Sequence, residues 1–300
     1  GQILSQIDMV DRFALLASGS SGVQGEWPKI LLTQAKDELF YPDSIVADED
    51  ARAHVIVKMS QAKFPEDQLI LEAEAPYLEL ARNFGLRVGA PLTHQSGRLV
   101  IPRFDREIVS AQSVIRHGQE SLVSGLGVAA FGHITTHEQY IRILAKHCSE
   151  PQVEIVEYVL RDLLSRAMGD SDNHGRNTAL QKRVDGSVRL TPLYDFAPMS
   201  IHPSMIRPST SWDCLRGVRP ASRYALICTA VEQVSEQSGI AALLRMALLR
   251  KIDWLSKLPS LAAQYGVSQV VIQRALRTVP DVVEDLRKLE QVRSVDEAGR

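Results

Sequence analysis

The sequence predicts an α+β protein of two lobes, a strand-rich N-lobe followed by a mainly helical C-lobe. The first third of the chain contains short runs of β-branched residues between polar and Gly/Ser-rich segments, which is typical of strands. In the remainder, apolar residues recur every three or four positions, which is typical of amphipathic helices. A chain of 300 residues is also long enough for its core to divide in two. We expect the N-lobe at residues 1–106 and the C-lobe at 107–300.

The composition is that of an ordinary globular protein. Hydrophobic residues make up 45% of the chain and the formal net charge is −2, which argues against a protein that coats nucleic acid. No apolar run approaches the roughly 20 residues that span a bilayer, so the sequence predicts no membrane protein. The three cysteines form no C-x-x-C pair, which favours a cytoplasmic protein without disulfides. Because the chain begins with Gly1 instead of Met, we expect an N-terminal portion to be missing.

The predicted N-lobe begins with two strands joined by a turn of small residues. Apolar runs at 13–17 and 29–33 flank the Gly/Ser-rich segment 18–25, which predicts a strand, a turn and a strand. A third run at 53–59 is rich in β-branched residues and predicts a strand that carries Lys58 near its end.

A helix is predicted next, at residues 69–84. Its apolar positions have helical spacing, and Gly85 suits the left-handed position that follows a helix. Pro76 predicts that this helix starts or kinks near that residue, because proline costs about 3 kcal/mol inside a helix. The run at 98–102 ends in proline and predicts an edge strand that leads into a connector.

The predicted C-lobe contains a core helix, a hairpin and a helical bundle. Residues 153–168 place apolar side chains on one face and stop at Gly169. Runs at 177–181 and 187–191 flank an Asp-Gly dipeptide, which predicts a β-hairpin. From 222 to 289 the three-and-four spacing predicts a bundle of helices.

Polar side chains are concentrated between the core helix and the hairpin. The segment 169–177 reads Gly-Asp-Ser-Asp-Asn-His-Gly-Arg-Asn, in which Asp172 and Asn177 are five positions apart. Protein kinases use an Asp and an Asn at this spacing, one near the attacking hydroxyl and one for Mg²⁺. The hairpin can return Asp195 beside Asn177, and Lys58 would neutralise nucleotide phosphates. The pattern therefore predicts phosphoryl transfer with ATP and Mg²⁺.

The chain resembles the HipA-like serine/threonine kinases, the toxins of bacterial toxin–antitoxin modules, over most of residues 15–200. The resemblance implies a two-lobed protein-kinase-like fold and transfer of the ATP γ-phosphate to a protein serine or threonine. It rests on motifs in the same order and approximate spacing, namely Lys58, Glu74, the segment 103–106, the loop 172–177 and the segment 192–195.

The resemblance also implies roles for single residues. Asp172 is implied to be the catalytic base, Asn177 and Asp195 are implied to bind Mg²⁺, and His174 is implied to support the loop or the nucleotide. Lys58 is implied to contact the ATP phosphates and to be oriented by a helix acid. That acid matches Glu74, with Glu72 as the substitute because Pro76 lies two residues beyond Glu74.

Further residues are implied to bind or regulate the nucleotide. The adenine is expected against the connector at 100–104, and a serine in or near the Gly/Ser-rich loop is autophosphorylated in relatives. The nucleotide-binding candidates are Arg103, Phe104, Ser21, Gly22, Val23 and Gln24, and the autophosphorylation candidates are Ser18, Ser20 and Ser21. The family also suggests substrates in translation, such as aminoacyl-tRNA synthetases, and an antitoxin partner.

Two alternatives stay open. The first is a pseudokinase that binds nucleotide or a partner without transfer. The second is a DNA-binding or regulatory module, because 261–276 reads like a helix-turn-helix with Gly266 at the turn and Ser268 as the cap of its second helix. Only Arg274 and Arg277 supply positive charge there, so a helix pair inside the bundle is favoured and direct DNA binding is not expected.

Overall fold

The computed structural model of the protein describes residues 27–95, 97–110, 113–130, 132–206 and 208–298. The strand predicted at 13–17 and the Gly/Ser-rich turn at 18–25 lie outside the described residues. In the described ranges, a five-stranded sheet with a long helix precedes a mainly helical region. This confirms the two-lobed α+β prediction. The boundary at residue 106 stays a prediction.

The N-lobe sheet is antiparallel throughout, with the strand order β2-β1-β3-β5-β4. Its strands are β1 (Lys29–Ala35), β2 (Phe40–Pro42), β3 (Ala51–Met59), β4 (Thr93–Gln95) and β5 (Arg98–Pro102). Strands β1 and β3 confirm the predicted runs, and their alternate side chains build a small core of Ile30, Leu32, Val55 and Val57.

The prediction that residues 98–102 form an edge strand is wrong, because β5 lies between β3 and β4. The proline is tolerated because of where β4 ends. Strand β4 pairs with β5 only from Arg98 to Val100, so Pro102 lies beyond it and has a strand partner, Val55, on one side only. Pro102 is therefore locally at an edge of the sheet, which is where a proline is tolerated.

The long helix α1 (Pro65–Phe84) begins well before Pro76 and continues through it, so the predicted start near Pro76 is wrong. Pro65 occupies the first turn, where proline is favourable. The Asp67 carboxylate accepts hydrogen bonds from the backbone N–H groups of Lys63 and Phe64. The helix buries one whole face against the C-lobe, and that burial offsets the cost of the interior proline. Gly85 ends the helix with φ +98°, as predicted.

The C-lobe is mainly helical, and it confirms the core helix predicted at 153–168 and the bundle predicted at 222–289. Its helices are α2 (Leu122–Gly125), α3 (His137–His147), α4 (Pro151–Met168), α5 (Arg223–Ser235), α6 (Ile240–Leu249), α7 (Ile252–Ser256), α8 (Leu258–Gln264), α9 (Gln269–Ala275) and α10 (Val279–Ala298). Helix α4 is central, with Leu163, Leu164 and Met168 fully buried. No helix in the described part of the chain has both the length and the apolar character to cross a bilayer.

Short strands connect these helices. They are β6 (Arg106–Ser110), β7 (Ser113–Arg116), β8 (Gly118–Ser121), β9 (Thr135–Thr136), β10 (Ala179–Lys182), β11 (Val188–Leu190) and β12 (Thr210–Ser211). Strands β10 and β11 form the predicted hairpin, and β8 adds a third strand that the sequence did not indicate. Strands β9 and β12 pair in parallel and bring two distant segments together.

Gly169 fixes the point at which α4 passes into the polar loop, and we expect Gly169→Ala to be strongly destabilising. Its φ is +69°, and an added Cβ would lie 2.4 Å from Ser200 Oγ and 2.7 Å from the Ala275 carbonyl oxygen. Conformational strain and overpacking together should lower the free energy of unfolding by about 2–4 kcal/mol. Urea denaturation measures this loss.

Gly186→Ala is the matched control. Gly186 has a similar φ of +84°, but nothing lies within 4 Å of its added Cβ. Only the conformational cost, about 1 kcal/mol, should remain. Equal losses in the two variants would show that the close approach to Ser200 and Ala275 has no energetic weight.

Candidate active site

Lys58 lies near the end of β3, and its buried ammonium group lies between two carboxylates. Its Nζ is 2.6 Å from Glu74 Oε2 and 2.5 Å from Asp195 Oδ1. The Trp27 ring centroid is 5.4 Å from the same nitrogen. Burial lowers the pKa of Lys58, but the charges of Asp195 and Glu74 outweigh it and raise that pKa above its ordinary value. Lys58 is therefore a cation held by two acids from different parts of the chain.

Glu74, and not Glu72, is the acid on α1 that pairs with Lys58. Glu74 is 1% exposed and faces the sheet, whereas the Glu72 side chain is exposed and accepts a hydrogen bond from Gln68. Burial raises the pKa of Glu74, and the nearby Lys58 opposes that rise. The interior proline two residues beyond Glu74 does not prevent the ion pair.

Asp195 follows the hairpin and has a left-handed backbone, with φ +53°. Aspartate is among the non-glycine residues that adopt this conformation most readily. Its two carboxylate oxygens lie near separate lysines, Oδ1 near Lys58 and Oδ2 3.5 Å from Lys29 Nζ. Burial would raise the pKa of Asp195, but these two cations hold it well below its usual range. Asp195 is therefore an anion at any physiological pH.

Asp172 is held in a loop in which its neighbours fix both its backbone and its carboxylate. Asn177 Nδ2 donates to the Asp172 carbonyl oxygen at 3.1 Å and lies 3.3 Å from Oδ2. His174 Nε2 lies 3.3 Å from Oδ1, and the Asp172 N–H donates to Asp170. Burial raises the pKa of Asp172, which His174 partly opposes and Asp195 reinforces. A carboxylate of raised pKa is better suited to accept a proton than an exposed one.

Asp170 and Lys29 are two members of this group that the sequence analysis missed. Asp170 precedes Asp172 by two residues, and this is the spacing at which an aspartate accepts a hydrogen bond from the backbone. Lys29 lies directly opposite Lys58 in the β1–β3 register. Asp170 could have been found from the local sequence, but Lys29 could be found only from the pairing of β1 with β3.

Asn177 and Asp195 offer the oxygen ligands that Mg²⁺ prefers. The Asn177 Nδ2 is used by Asp172, which leaves Oδ1 as a ligand, and Asp195 supplies a carboxylate. One amide and one carboxylate are an incomplete ligand set. Such a set fits Mg²⁺, which commonly keeps water molecules and takes oxygen atoms from substrate phosphates.

The connector residues predicted to bind adenine are themselves fixed by neighbours. The Arg103 guanidinium forms ion pairs with Asp105 and with Asp43. The centroid of the Phe104 ring lies 5.6 Å from that of the Tyr194 ring. The backbone carbonyl oxygen of Phe104 accepts a hydrogen bond from the Gln181 side chain of the hairpin. Their contact with adenine stays a prediction. The loop candidates lie outside the described residues, namely Ser18, Ser20, Ser21, Gly22, Val23 and Gln24.

The helix-turn-helix-like segment packs into the bundle. Gly266 has φ +85° and Ser268 caps α9 through the Val271 N–H, as the sequence indicates. However, Arg274 forms an ion pair with Glu66 and donates to the Ile201 carbonyl. This arginine is committed to internal contacts, which favours the helix-pair interpretation.

Comparison with known proteins places these features in a family. The HipA-like C-terminal domain family matches residues 21–276. A Haemophilus influenzae protein described as "Putative kinase" is 22% identical over 289 residues, which are 91% of this chain and 74% of that protein.

Two solved structures are similar in fold. A chain of the Shewanella oneidensis MR-1 toxin–antitoxin system HipA, HipB and operator DNA complex has a TM-score of 0.59 and 19% identity, and the match covers 90% of this chain. This chain spans only 64% of that solved chain. The Helicobacter pylori proinflammatory kinase CtkA has a TM-score of 0.49 and 12% identity, over 82% of this chain and 92% of that one.

Proposed function

The chain belongs to the HipA-like C-terminal domain family and has its two-lobed, protein-kinase-like α+β fold, and on that premise we propose that it is a serine/threonine protein kinase. The reaction proposed is transfer of the ATP γ-phosphoryl group to a protein hydroxyl. One observation carries the proposal: Lys58 is held between Glu74 and Asp195, and Asp172 and Asn177 are hydrogen-bonded to each other in the loop before the hairpin. These residue types are the ones that phosphoryl transfer uses.

Each residue then has a separate task. Lys58 neutralises charge on the phosphates, and Glu74 positions its ammonium group. Asp172 accepts the proton of the attacking hydroxyl, and His174 and Asn177 orient its carboxylate. Asn177 Oδ1 and Asp195 would hold Mg²⁺, which supplies charge stabilisation at the phosphate oxygens when it is bound.

The proposal extends to partners. A similar solved chain comes from a toxin–antitoxin complex, which supports an antitoxin partner for this chain. The resemblance supports a translation factor, such as an aminoacyl-tRNA synthetase, as the acceptor, and autophosphorylation at Ser18, Ser20 or Ser21 as regulation.

Mass spectrometry of the purified protein after incubation with Mg-ATP tests the proposal. Phosphate on Ser18, Ser20 or Ser21, or on an added aminoacyl-tRNA synthetase, is the expected result. Mg-ATP binding without transfer to either would favour the pseudokinase alternative. No nucleotide binding at all would contradict the proposed function.

Asp195→Ala should weaken Mg-ATP binding by at least about tenfold, which corresponds to roughly 1.4 kcal/mol. The variant loses a carboxylate ligand for the cation. Isothermal titration calorimetry measures the affinity. Repeating the titration in EDTA provides the control, because without Mg²⁺ the variant should bind ATP no more weakly than the wild type. A tenfold loss in EDTA as well would contradict the metal role.

A further inference from the structure

A cavity of about 520 Å³, here called the loop cavity, lies beside the loop that carries Asp172. Loop residues on both sides of Asp172 line it, namely Asp170, Ser171 and Asn173. The lining also includes Pro208, Trp212 and Leu215. Lys58, Asp195 and Asn177 are not among its lining residues, so it is separate from the proposed phosphate site. A polypeptide seated in this cavity would lie next to Asp172.

Three arginines line the loop cavity, and they differ in how their charges are satisfied. Arg166 forms an ion pair with Asp285 at 2.8 Å. Arg216 is largely exposed and pairs with Asp213 at 3.3 Å. Arg223 is half-buried and forms no hydrogen bond or ion pair through its side chain with any residue that the structure describes. None of its nitrogens is among the fully buried atoms without a partner, so the Arg223 guanidinium is accessible from the cavity and available to an anion.

The two acids that line the loop cavity, Asp162 and Asp170, form no ion pair with Arg223. Asp162 accepts hydrogen bonds from Trp212 Nε1 at 2.8 Å and Asn173 Nδ2 at 3.2 Å, and its Oδ1 lies 3.4 Å from His137. Asp170 accepts from Ser165 and from the Asp172 N–H. Burial also raises the pKa of Asp170 well above its ordinary value. The cavity therefore keeps a positive charge at Arg223.

A second cavity, of about 560 Å³, is a neighbour of the first. The two share Arg216 as a lining residue, and the second extends along Thr135, Arg142 and Val234. The parallel pairing of β9 with β12 builds the wall between the two cavities. Arg216 is therefore the residue at which an extended occupant of the loop cavity can reach the second cavity. This favours a polypeptide over a small free anion.

We propose that the loop cavity binds an anionic side chain of the acceptor protein, which Arg223 recognises and Arg216 assists, at a fixed distance from the phosphorylated hydroxyl. The inference rests on the proposed kinase function. A guanidinium binds carboxylate and phosphate groups through paired N–H donors, so either a glutamate or aspartate or a phosphoserine of the acceptor satisfies the same chemistry. Trp212 and Leu215 supply apolar lining to the same cavity.

Phosphorylation of serine peptide pools with labelled Mg-ATP tests the inference. Each pool has Glu, phosphoserine, Gln or Lys fixed at one position relative to the acceptor serine. The wild-type protein should phosphorylate the Glu or the phosphoserine pool at least about tenfold faster than the Gln pool at one position. Whichever of the two is preferred identifies the source of the anion. Fluorescence anisotropy with the same labelled peptides measures binding independently of transfer.

Arg223→Glu is the decisive variant, and Arg219→Glu is its matched control. Residue 223 opens α5, where an acidic residue suits the helix terminus, so the variant should fold. Arg219 is exposed in the preceding segment and does not line the cavity. In the Arg223 variant the preference should be lost and the Lys pool should become the better substrate. In the Arg219 variant the preference should be unchanged.

The outcomes separate the inference from the function on which it rests. Equal rates for the Glu, phosphoserine and Gln pools would overturn the inference and leave the kinase assignment intact. Mg-ATP binding without preferential binding or phosphorylation of any anionic pool would also overturn it. If the protein neither binds Mg-ATP nor phosphorylates any pool, the proposed function is wrong and the inference falls with it.

Discussion

Asp172→Asn should reduce the rate of phosphoryl transfer by roughly 10²- to 10⁴-fold, the contribution of a positioned general base. The substitution keeps the size of the side chain and removes its ability to accept the hydroxyl proton. The backbone contacts of the loop do not depend on the carboxylate, since Asn177 donates to the Asp172 carbonyl oxygen and the Asp172 N–H donates to Asp170. Mg-ATP affinity should therefore stay within a few-fold of the wild-type value.

Asp185→Asn is the matched control, because it makes the same chemical change in an exposed turn of the hairpin. Transfer of labelled phosphate and calorimetric titration with Mg-ATP are measured on both variants. The control should keep both properties. Transfer at the wild-type rate in Asp172→Asn would contradict the assignment of the base, and loss of nucleotide binding would show that the loop had been disrupted instead.

The pH dependence of the wild-type protein supplies a second check on Asp172. Because burial raises the pKa of Asp172, kcat/KM should fall with decreasing pH at a higher pH than an ordinary aspartate would give. His174 opposes this rise, so its removal should move the acid limb to still higher pH. A wild-type profile that stays flat down to the ordinary range of aspartate would argue against Asp172 as the proton acceptor.

Sequence patterns were sufficient to predict the elements whose structure depends on residues close together in the chain. Helix α4, the glycine that ends it and the Asp-Gly hairpin all follow from periodicity and turn preferences. The failures involve contacts between distant segments. A helix start near Pro76 was one expectation, but α1 begins earlier, at Pro65, and its apolar face packs on the C-lobe. Strand β5 was expected at an edge, but the short strand β4 covers it.

The same division holds for the candidate site. The motifs and the family resemblance predicted one site with Lys58, Asp172, Asn177 and Asp195, and the structure pairs Lys58 with Asp195 and Asp172 with Asn177. The roles of these residues stay predictions. Glu72 and Glu74 could not be separated, since both lie on α1 and the sequence does not show which face turns toward Lys58. The loop cavity, which Arg223 lines, was not predictable either. Its walls depend on the pairing of residues 135 and 210, which lie far apart in the chain.

Lys58→Met should abolish transfer and also destabilise the fold. Methionine has a similar shape but leaves Glu74, whose side chain is 2% exposed, without its buried cationic partner. Removal of one partner of a buried ion pair typically costs about 3–5 kcal/mol. We expect a loss near the lower end, about 3 kcal/mol, because Asp195 is partly exposed and keeps Lys29 nearby. Urea denaturation measures the loss, and labelled phosphate measures transfer.

The double variant Lys58→Met, Glu74→Gln separates the two effects of Lys58. Replacing the glutamate removes the buried charge that the single variant leaves without a partner, so part of the free energy of unfolding should return. Transfer should not return, because the proposed phosphate-neutralising cation at position 58 is still missing. If the double variant were less stable than Lys58→Met, Glu74 would have another stabilising partner. If it regained transfer, Lys58 would not be the residue that neutralises phosphate charge, and the grouping of Lys58 with Asp195 would serve only the fold.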